Sequence, residues 1–310
     1  MAVTTAEATT PRKARRIAEP RGDRAFNIIN YTVLAVFTLS VLYPLIYVIS
    51  SSFSSAAAIN SGAVKFLPVG FNVDAYQTIL ESPRLVTGFM NSAIYAVAGG
   101  LLGTALTVLA GYPLSRDDLP FRRVLTFFFL IPTLLSAGII PTYIVVRQLG
   151  LLDTRWAIIL PGCMSVFNMI ITRTFYKITV PSEMLEAAKV DGASDFRFFF
   201  RIALPLSKPI IAVNLLFYGI AQWNGWFSAF IYLTNADLYP LQLVLREILA
   251  QSAVNPAQIG GPDVGELLRR KELFDKLKYA LIVIAMVPPL IAYPFVQKHF
   301  VKGALIGSLK

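Results

Sequence analysis

Residues 181–205 of this 310-residue chain read PSEMLEAAKVDGASDFRFFFRIALP. The stretch lies between two long apolar segments, and it is too polar to cross a membrane itself. Pro181 suits the start of a helix, and Gly192 can end that helix in a left-handed conformation. Ser194 can then cap a second short helix. The stretch therefore predicts two short helices joined at a glycine, called here the helix–glycine–helix unit.

The side chains of the two predicted helices suggest how the unit is used. Ala187 and Ala188 form a small, smooth knob, with Glu186, Asp191 and Arg197 able to make directional contacts around it. On the second helix, the spacing predicts that three phenylalanines share one face: Phe196, Phe199 and Phe200. Two interpretations stay open from the residues alone. The unit is either an interfacial amphipathic segment that holds a bundle together or a docking element for a soluble partner.

The composition of the whole chain indicates a membrane protein. Hydrophobic residues make up 55% of the chain and charged residues only 15%, whereas roughly a quarter of a soluble domain is charged. This excludes a disordered chain, and the single cysteine, Cys163, excludes a disulfide scaffold. The chain has a net charge of +10. In a membrane protein such an excess of basic residues usually marks the cytoplasmic face, so no nucleic-acid partner is expected.

Six apolar segments approach or exceed the length of about 20 residues that a membrane-spanning helix needs. They are 26–50, 88–112, 124–146, 156–178, 206–233 and 279–297. If both termini are cytoplasmic, the inner segments carry a net charge of +9 and the outer segments +1, as the positive-inside tendency requires. The chain is therefore predicted to be an all-α integral membrane protein with six transmembrane helices. Its predicted parts are a basic cytoplasmic arm (1–25), a transmembrane domain (26–300) and a cytoplasmic tail (301–310).

The second predicted span carries small residues at every fourth position. They are Gly99, Gly103, Thr107 and Gly111. Such a stripe lets a second helix approach closely, so it predicts a packing contact. Prolines in the third, fourth and sixth predicted spans predict bends there.

The helix–glycine–helix unit resembles the EAA motif of ABC-importer membrane subunits. Glu186-Ala187-Ala188 is followed after three residues by Gly192, and after nine more by Ile202-Ala203-Leu204-Pro205. Stretches at 42–53, 66–76, 111–116 and 149–154 are similar to the carbohydrate importers of the maltose type, and 240–249 looks most like their LplC-type subgroup. The resemblance implies the ABC type I importer permease fold. It also implies these ATPase-coupling residues: Glu186, Ala187, Ala188, Asp191, Gly192, Arg197, Ile202, Leu204 and Pro205.

The resemblance implies a set of partners in a bacterial cytoplasmic membrane. They are a second homologous permease subunit, two cytoplasmic ATPase subunits that carry ATP and Mg, an extracytoplasmic solute-binding protein, membrane lipid, and a sugar or oligosaccharide substrate. The chain has no Gly-x-x-x-x-Gly-Lys-Ser/Thr loop, so no cofactor is expected on it. Its one histidine, His299, and its one cysteine do not predict a metal site. No nucleophile–base arrangement predicts an enzyme.

An ion-coupled transporter or channel and an intramembrane enzyme are the alternatives from other classes. A proton-coupled carrier usually needs ionisable groups within the membrane, and the span centres contain no Lys, Arg, Asp or Glu. An intramembrane enzyme needs paired polar groups at membrane depth, and none is clear in the sequence. Co-purification with an ATPase and a second permease distinguishes an importer subunit from both.

The fifth predicted span carries amide and indole side chains that can line a sugar path. They are Asn214, Gln222, Trp223, Asn224 and Trp226. Hydrogen bonding between helices and anchoring at the interface are the alternative interpretation. Two further segments also have two interpretations each. The loop 234–278 either contacts a binding protein or packs on the bundle, and the tail either enters the ATPase interface or is a frayed terminus.

Overall fold

The computed structural model describes residues 20–135, 137–252 and 264–307, and every regular element in them is helical. The α-helices are α1 (Arg21–Ser52), α2 (Ala56–Asn60), α3 (Asp74–Glu81), α4 (Pro83–Ser115), α5 (Arg122–Leu134), α6 (Ile139–Gln148), α7 (Trp156–Ile159), α8 (Val166–Thr179), α9 (Ser182–Val190), α10 (Asp195–Phe198), α11 (Leu204–Leu206), α12 (Lys208–Asn224), α13 (Phe227–Tyr232), α14 (Leu241–Ser252) and α15 (Val264–Gly307). A π-helical turn (Phe199–Ala203) joins α10 to α11, and a 3₁₀ turn (Ala236–Leu238) precedes α14.

The chain divides into two units, residues 1–47 and 48–310. Most of α1 belongs to the first unit. Its polar side chains form hydrogen bonds within the helix, because the hydroxyls of Thr32, Thr38 and Ser40 donate to the carbonyl four residues earlier. These bonds allow polar groups to lie in an otherwise apolar helix. Of the predicted basic arm, residues 1–19 lie outside the described part.

Helix α4 packs against α8 and α12 in the second unit. The close contact predicted from the small-residue stripe is confirmed. A Cβ atom at Gly103 would lie 2.8 Å from both the carbonyl oxygen of Cys163 and the ring of Tyr218. A Cβ atom at Gly111 would lie 2.9 Å from Thr172. Real Cβ atoms do not come this close to their neighbours, so the packing requires glycine at both positions.

Three helices in the described ranges are long and apolar enough to cross a membrane, namely Gly22–Ser52, Pro83–Ser115 and Leu277–Phe295. Two bent pairs pass the same test together and would bring the number to five. They are Arg122–Leu134 with Ile139–Gln148, and Asp195–Leu206 with Lys208–Asn224. The third, fourth and fifth predicted spans are therefore wrong as continuous helices, although their apolar character is correct.

Each of these three predicted spans breaks where the sequence favours the end of a helix. The fourth breaks at Pro161 and Gly162, and α8 begins after Ser165, whose hydroxyl accepts a hydrogen bond from the new helix. The fifth breaks at Gly225, and the third beside Gly138, whose φ is +80°. The length of an apolar run gave no sign of these interruptions.

The predicted loop 234–278 is largely helical and packs on the bundle. Asn91 of α4 donates to the carbonyl of Asp237 at 2.7 Å, and the Leu241 N–H donates to Ser92 of α4 at 2.9 Å. Helix α14 buries five apolar side chains, which are Leu241, Leu243, Val244, Leu245 and Ile248. This favours the packing interpretation. Residues 253–263 lie outside the described part. Helix α15 begins at residue 264 and so extends well before the predicted span 279–297, which the apolar segment Leu277–Phe295 matches.

Candidate functional site

A glycine turn separates α9 from α10, as predicted. Gly192 has a φ of +76°, which confirms its left-handed conformation. The Gly192 N–H donates to the Lys189 carbonyl at 3.0 Å, and the Ala193 N–H donates to the Ala188 carbonyl at 2.9 Å. These two bonds form a Schellman motif, which pairs carbonyls that the end of a helix otherwise leaves without partners. A Cβ atom at Gly192 would meet nothing within 4 Å, so the backbone angle alone favours glycine.

Helix α10 begins at Asp195, with Ser194 as its N-cap, and passes directly into the π turn. The Ser194 hydroxyl accepts from the backbone N–H three residues later at 3.3 Å, which confirms the predicted cap. The predicted phenylalanine face is wrong. Phe198 and Phe199 are buried, whereas Phe196 and Phe200 are exposed. A π turn contains an extra residue, so the spacing that brings α-helical side chains to one face does not hold across it.

A buried aromatic cluster holds the helix–glycine–helix unit against α4 and α8. The ring of Tyr112 in α4 lies 5.3 Å from that of Tyr176 in α8 and 4.8 Å from that of Phe199. Ala188 of α9 is buried in the same cluster. The predicted two-alanine knob is therefore wrong in part. Only Ala187 is exposed, because Ala188 lies on the side of α9 that meets the aromatic cluster.

The other motif residues occupy the outside of the unit. Glu186, Ala187, Asp191, Gly192, Arg197 and Pro205 are exposed, and Ile202 and Leu204 are half-buried. Two large apolar side chains lie exposed beside the glycine turn: Phe196 is 79% exposed, and Val190, which was not singled out from the sequence, is 88% exposed. The position of Val190 next to the predicted turn was the feature of the sequence that could have indicated its exposure. Exposed apolar side chains rimmed by charges are typical of a surface that binds a partner.

Four charged residues tie the unit to the loop after α4. Arg116 donates from Nε to Asp118 at 2.8 Å and from a terminal nitrogen to Asp195 at 3.0 Å. Lys189 Nζ lies 3.7 Å from Asp118 and 3.8 Å from Asp195. We call these four residues the charge cluster. The hydrogen bond from Arg116 lowers the pKa of Asp118 to about 2, so this carboxylate stays ionised until the pH falls towards that value.

Two of the five predicted path residues are buried in contacts between helices. Asn214 donates from Nδ2 to the Thr172 hydroxyl at 2.8 Å, which joins α12 to α8. Trp223 is 4% exposed. Its indole nitrogen donates to the Ala285 carbonyl at 2.9 Å, and its ring packs edge-on against Phe89. These geometries favour the packing interpretation for both residues.

The other three predicted path residues lie near the end of α12 and are more accessible. Gln222 is half-buried and donates to the Ile158 carbonyl at 3.5 Å. Asn224 is exposed. Trp226 is half-buried, and the guanidinium of Arg246 lies 3.6 Å from its ring centroid. The structure therefore does not bring the five residues to one surface.

Trp223→Ala is expected to destabilise the fold by about 3–5 kcal/mol, because it empties a buried site and leaves the Ala285 carbonyl unpaired. The measurement is thermal unfolding and the yield of monodisperse protein in detergent. Asn224→Ala, at the exposed neighbour, is the control and should leave both values close to those of the wild type. A Trp223→Ala protein that folds normally would contradict the packing interpretation.

Comparison with known proteins gives the chain a family. A model described as "Binding-protein-dependent transport system inner membrane component" matches residues 103–305. The polygalacturonan/rhamnogalacturonan transport system permease protein YtcP of Bacillus subtilis (strain 168) is 38% identical over 93% of this chain and 99% of its own length. Protein LplC of the same organism is 37% identical over 94% of this chain and 96% of its own. The resemblance noted in the sequence is thus confirmed.

A solved structure with the same fold supports this result. The crystal structure of a bacterial ABC transporter involved in the import of the acidic polysaccharide alginate has a chain that is 34% identical. It matches with a TM-score of 0.81 over 92% of this chain and 99% of its own. The prediction of an all-α permease fold of the ABC importer type is therefore confirmed. The family model and the relatives together cover most of the sequence, and the chain belongs to the family of inner-membrane components of binding-protein-dependent transport systems.

Proposed function

We propose that this integral membrane permease carries a sugar or oligosaccharide across the bacterial cytoplasmic membrane and forms half of the translocation path. A second homologous permease subunit forms the other half, and an extracytoplasmic solute-binding protein delivers the substrate. The relatives support this proposal, since YtcP is named for the transport of polygalacturonan and rhamnogalacturonan, and the similar crystal structure is of an alginate importer. The net charge of +9 against +1 supports cytoplasmic termini.

Two cytoplasmic ATPase subunits drive the transport and carry the ATP and Mg, while this chain binds no cofactor. The observation that carries this part of the proposal is that the helix–glycine–helix unit has one side buried against the membrane helices and the other side exposed. Its exposed side holds Glu186, Ala187 and Asp191 beside Val190 and Phe196. A mixed apolar and charged surface of this kind suits a cleft on a soluble partner.

The buried side of the unit supports a mechanism by which movement of the ATPases reaches the membrane helices. Phe198 and Phe199 pack against Tyr112 of α4 and Tyr176 of α8. The Tyr176 hydroxyl in turn donates to Ser207, the residue before α12, at 2.9 Å. A closely packed interior transmits displacement rather than absorbing it. Closure of the ATPases therefore moves α9 and α10, and the aromatic cluster passes this movement to the membrane helices.

Glu186→Lys is expected to lower the amount of ATPase that co-purifies with the permease by about tenfold, since a reversed charge at the rim of an interface opposes docking. The measurement is quantitative recovery of the ATPase from solubilised membranes. Glu183→Lys makes the same charge change at an exposed position of the same helix outside the motif, and it should retain the ATPase. Equal recovery with both variants would count against the proposed docking surface.

A further inference from the structure

The charge cluster has a place in the fold that the proposed docking surface does not explain. Its members come from three separate elements. Arg116 and Asp118 belong to the end of α4 and the loop after it, Lys189 to the last turn of α9, and Asp195 to the first turn of α10. Lys189 and Asp195 thus stand on opposite sides of the Gly192 turn. The cluster bridges that turn and fastens both short helices to α4.

We propose that Arg116 is a positioning residue for coupling, which makes α9 and α10 move as one body with α4 when the unit is displaced. The inference rests on the proposed function and extends it to residues outside the EAA motif. Without the cluster, the glycine turn would let the two short helices change their mutual angle. Part of the displacement at the exposed surface would then be lost within the unit, and only the aromatic cluster would pass the rest to α4.

Arg116 is suited to this role by its geometry. Its side chain is 17% exposed, whereas those of Asp118 and Asp195 are 51% and 54% exposed. The guanidinium binds Asp118 through Nε and one terminal nitrogen, and it binds Asp195 through the other terminal nitrogen, so Arg116 alone joins the two carboxylates. Isolated surface ion pairs contribute little, but a partly buried guanidinium held by two carboxylates is a stronger and more directional contact.

The position of each charge on its helix adds to the effect. Lys189 lies in the last turn of α9, where the helix dipole favours a cation, and Asp195 lies in the first turn of α10, where it favours an anion. Each of these two residues therefore stabilises its own helix while it contacts the other elements. The cluster contains two cations and two anions, so it neutralises itself without an external ion.

Two cavities border the charge cluster. One of about 400 Å³ is lined by Arg116, Asp118 and Asp195 with apolar neighbours. The other, of about 540 Å³, is lined by Arg116 and Asp118 together with Lys189 and Glu186. Arg116 and Asp118 line both cavities. Since the space beside the cluster is open, the charged side chains span a gap that apolar contacts leave unfilled.

A second ion pair in the same loop provides a matched control. Arg122 pairs with Asp117, and neither residue is bonded to α9 or α10 in the described part of the chain. The Asp117 side chain is 63% exposed, close to the 54% of Asp195. Asp117→Asn and Asp195→Asn therefore remove the same charge at similar exposure, and only the second breaks the bridge to α10.

Two measurements test the inference. The first is hydrogen exchange of the backbone amides of α9 and α10 in the isolated permease, which needs no ATPase. Asp195→Asn should speed exchange by about fivefold, the change that loss of one charge-assisted hydrogen bond makes in a two-state opening. The second is substrate uptake per ATP hydrolysed in the reconstituted transporter, which should fall by a similar factor. Asp117→Asn should change neither, and Asp195→Glu should restore most of both.

The outcomes separate this inference from the proposed function. Unchanged exchange in Asp195→Asn would overturn the inference whatever the partner is. Faster exchange with normal uptake per ATP would also overturn it, because the cluster would then be structural only. A wild-type permease that recruits no ATPase would instead overturn the proposed function. Faster exchange and reduced uptake per ATP, both reversed by Asp195→Glu, support the inference.

Discussion

Gly192→Val is expected to abolish sugar uptake while the transmembrane bundle remains inserted. At a φ of +76° a β-branched residue is strongly strained, by more than about 1–2 kcal/mol. The backbone is expected to leave the left-handed region, which breaks the two Schellman bonds and changes the angle between α9 and α10. Because a Cβ atom there would meet nothing within 4 Å, the effect comes from the backbone and not from a clash.

Gly150→Val is a matched control for this change. Gly150 has a φ of +66° and equally open surroundings, but it lies after α6 and outside the helix–glycine–helix unit. Both variants should insert, and only Gly192→Val should lose uptake and the stimulation of ATP hydrolysis by the loaded binding protein. Assays of both activities in proteoliposomes make the comparison. Wild-type coupling in the Gly192→Val transporter would remove the main support for the assignment.

Gly103→Ala is expected to lower the stability of the bundle by several kcal/mol, although it adds one methyl group. The new Cβ atom would lie 2.8 Å from the Cys163 carbonyl oxygen, which is backbone, and 2.8 Å from the Tyr218 ring. That ring cannot easily move, because its hydroxyl lies 2.6 Å from that of Thr107 and accepts from the Ser165 N–H at 2.9 Å. Overpacking of a rigid contact costs about 1–3 kcal/mol or more.

Gly100→Ala, one turn earlier on the same helix, should behave oppositely. Its Cβ atom would find its nearest neighbour at 3.5 Å, an ordinary contact. Alanine is about 1 kcal/mol better than glycine within a helix, so this variant should be neutral or slightly stabilising. Thermal unfolding of the two variants in the same detergent measures the difference. Equal melting temperatures would show that α4 and its neighbours are packed less closely than these distances require.

Local chemistry decided which parts of the site were predictable. The turn at Gly192 and the cap at Ser194 depend on a few adjacent residues, so the sequence alone was sufficient for both. The stripe through Gly103 and Gly111 also follows from one helix. The burial of Ala188 could not be predicted, because it depends on which side of α9 meets the aromatic cluster. That choice is made by tertiary packing.

Contacts between distant residues were beyond what the sequence could show. Arg116 and Asp195 are 79 positions apart, and no local pattern joins them. Trp223 and Trp226 are similar in type and close in sequence, yet one is buried under α15 and the other stacks with Arg246. The residue type therefore predicted a possible sugar contact for both, and only the three-dimensional environment distinguished them. The breaks in the predicted spans were missed because the hydropathy of a segment depends on its composition. It does not show whether the helix is continuous.

The π turn at Phe199–Ala203 sets the angle between α10 and the following helix through the number of residues that it contains. An α-helix rotates by about 100° per residue, and a π turn holds one residue more than the α-helical turn it replaces. Loss of a single residue here would rotate α10 and the glycine turn about the axis of the following helix by roughly that angle. The exposed surface would then face another direction, although each of its own side chains is still present. The number of residues in the π turn therefore sets the direction in which the proposed docking surface faces relative to the membrane helices.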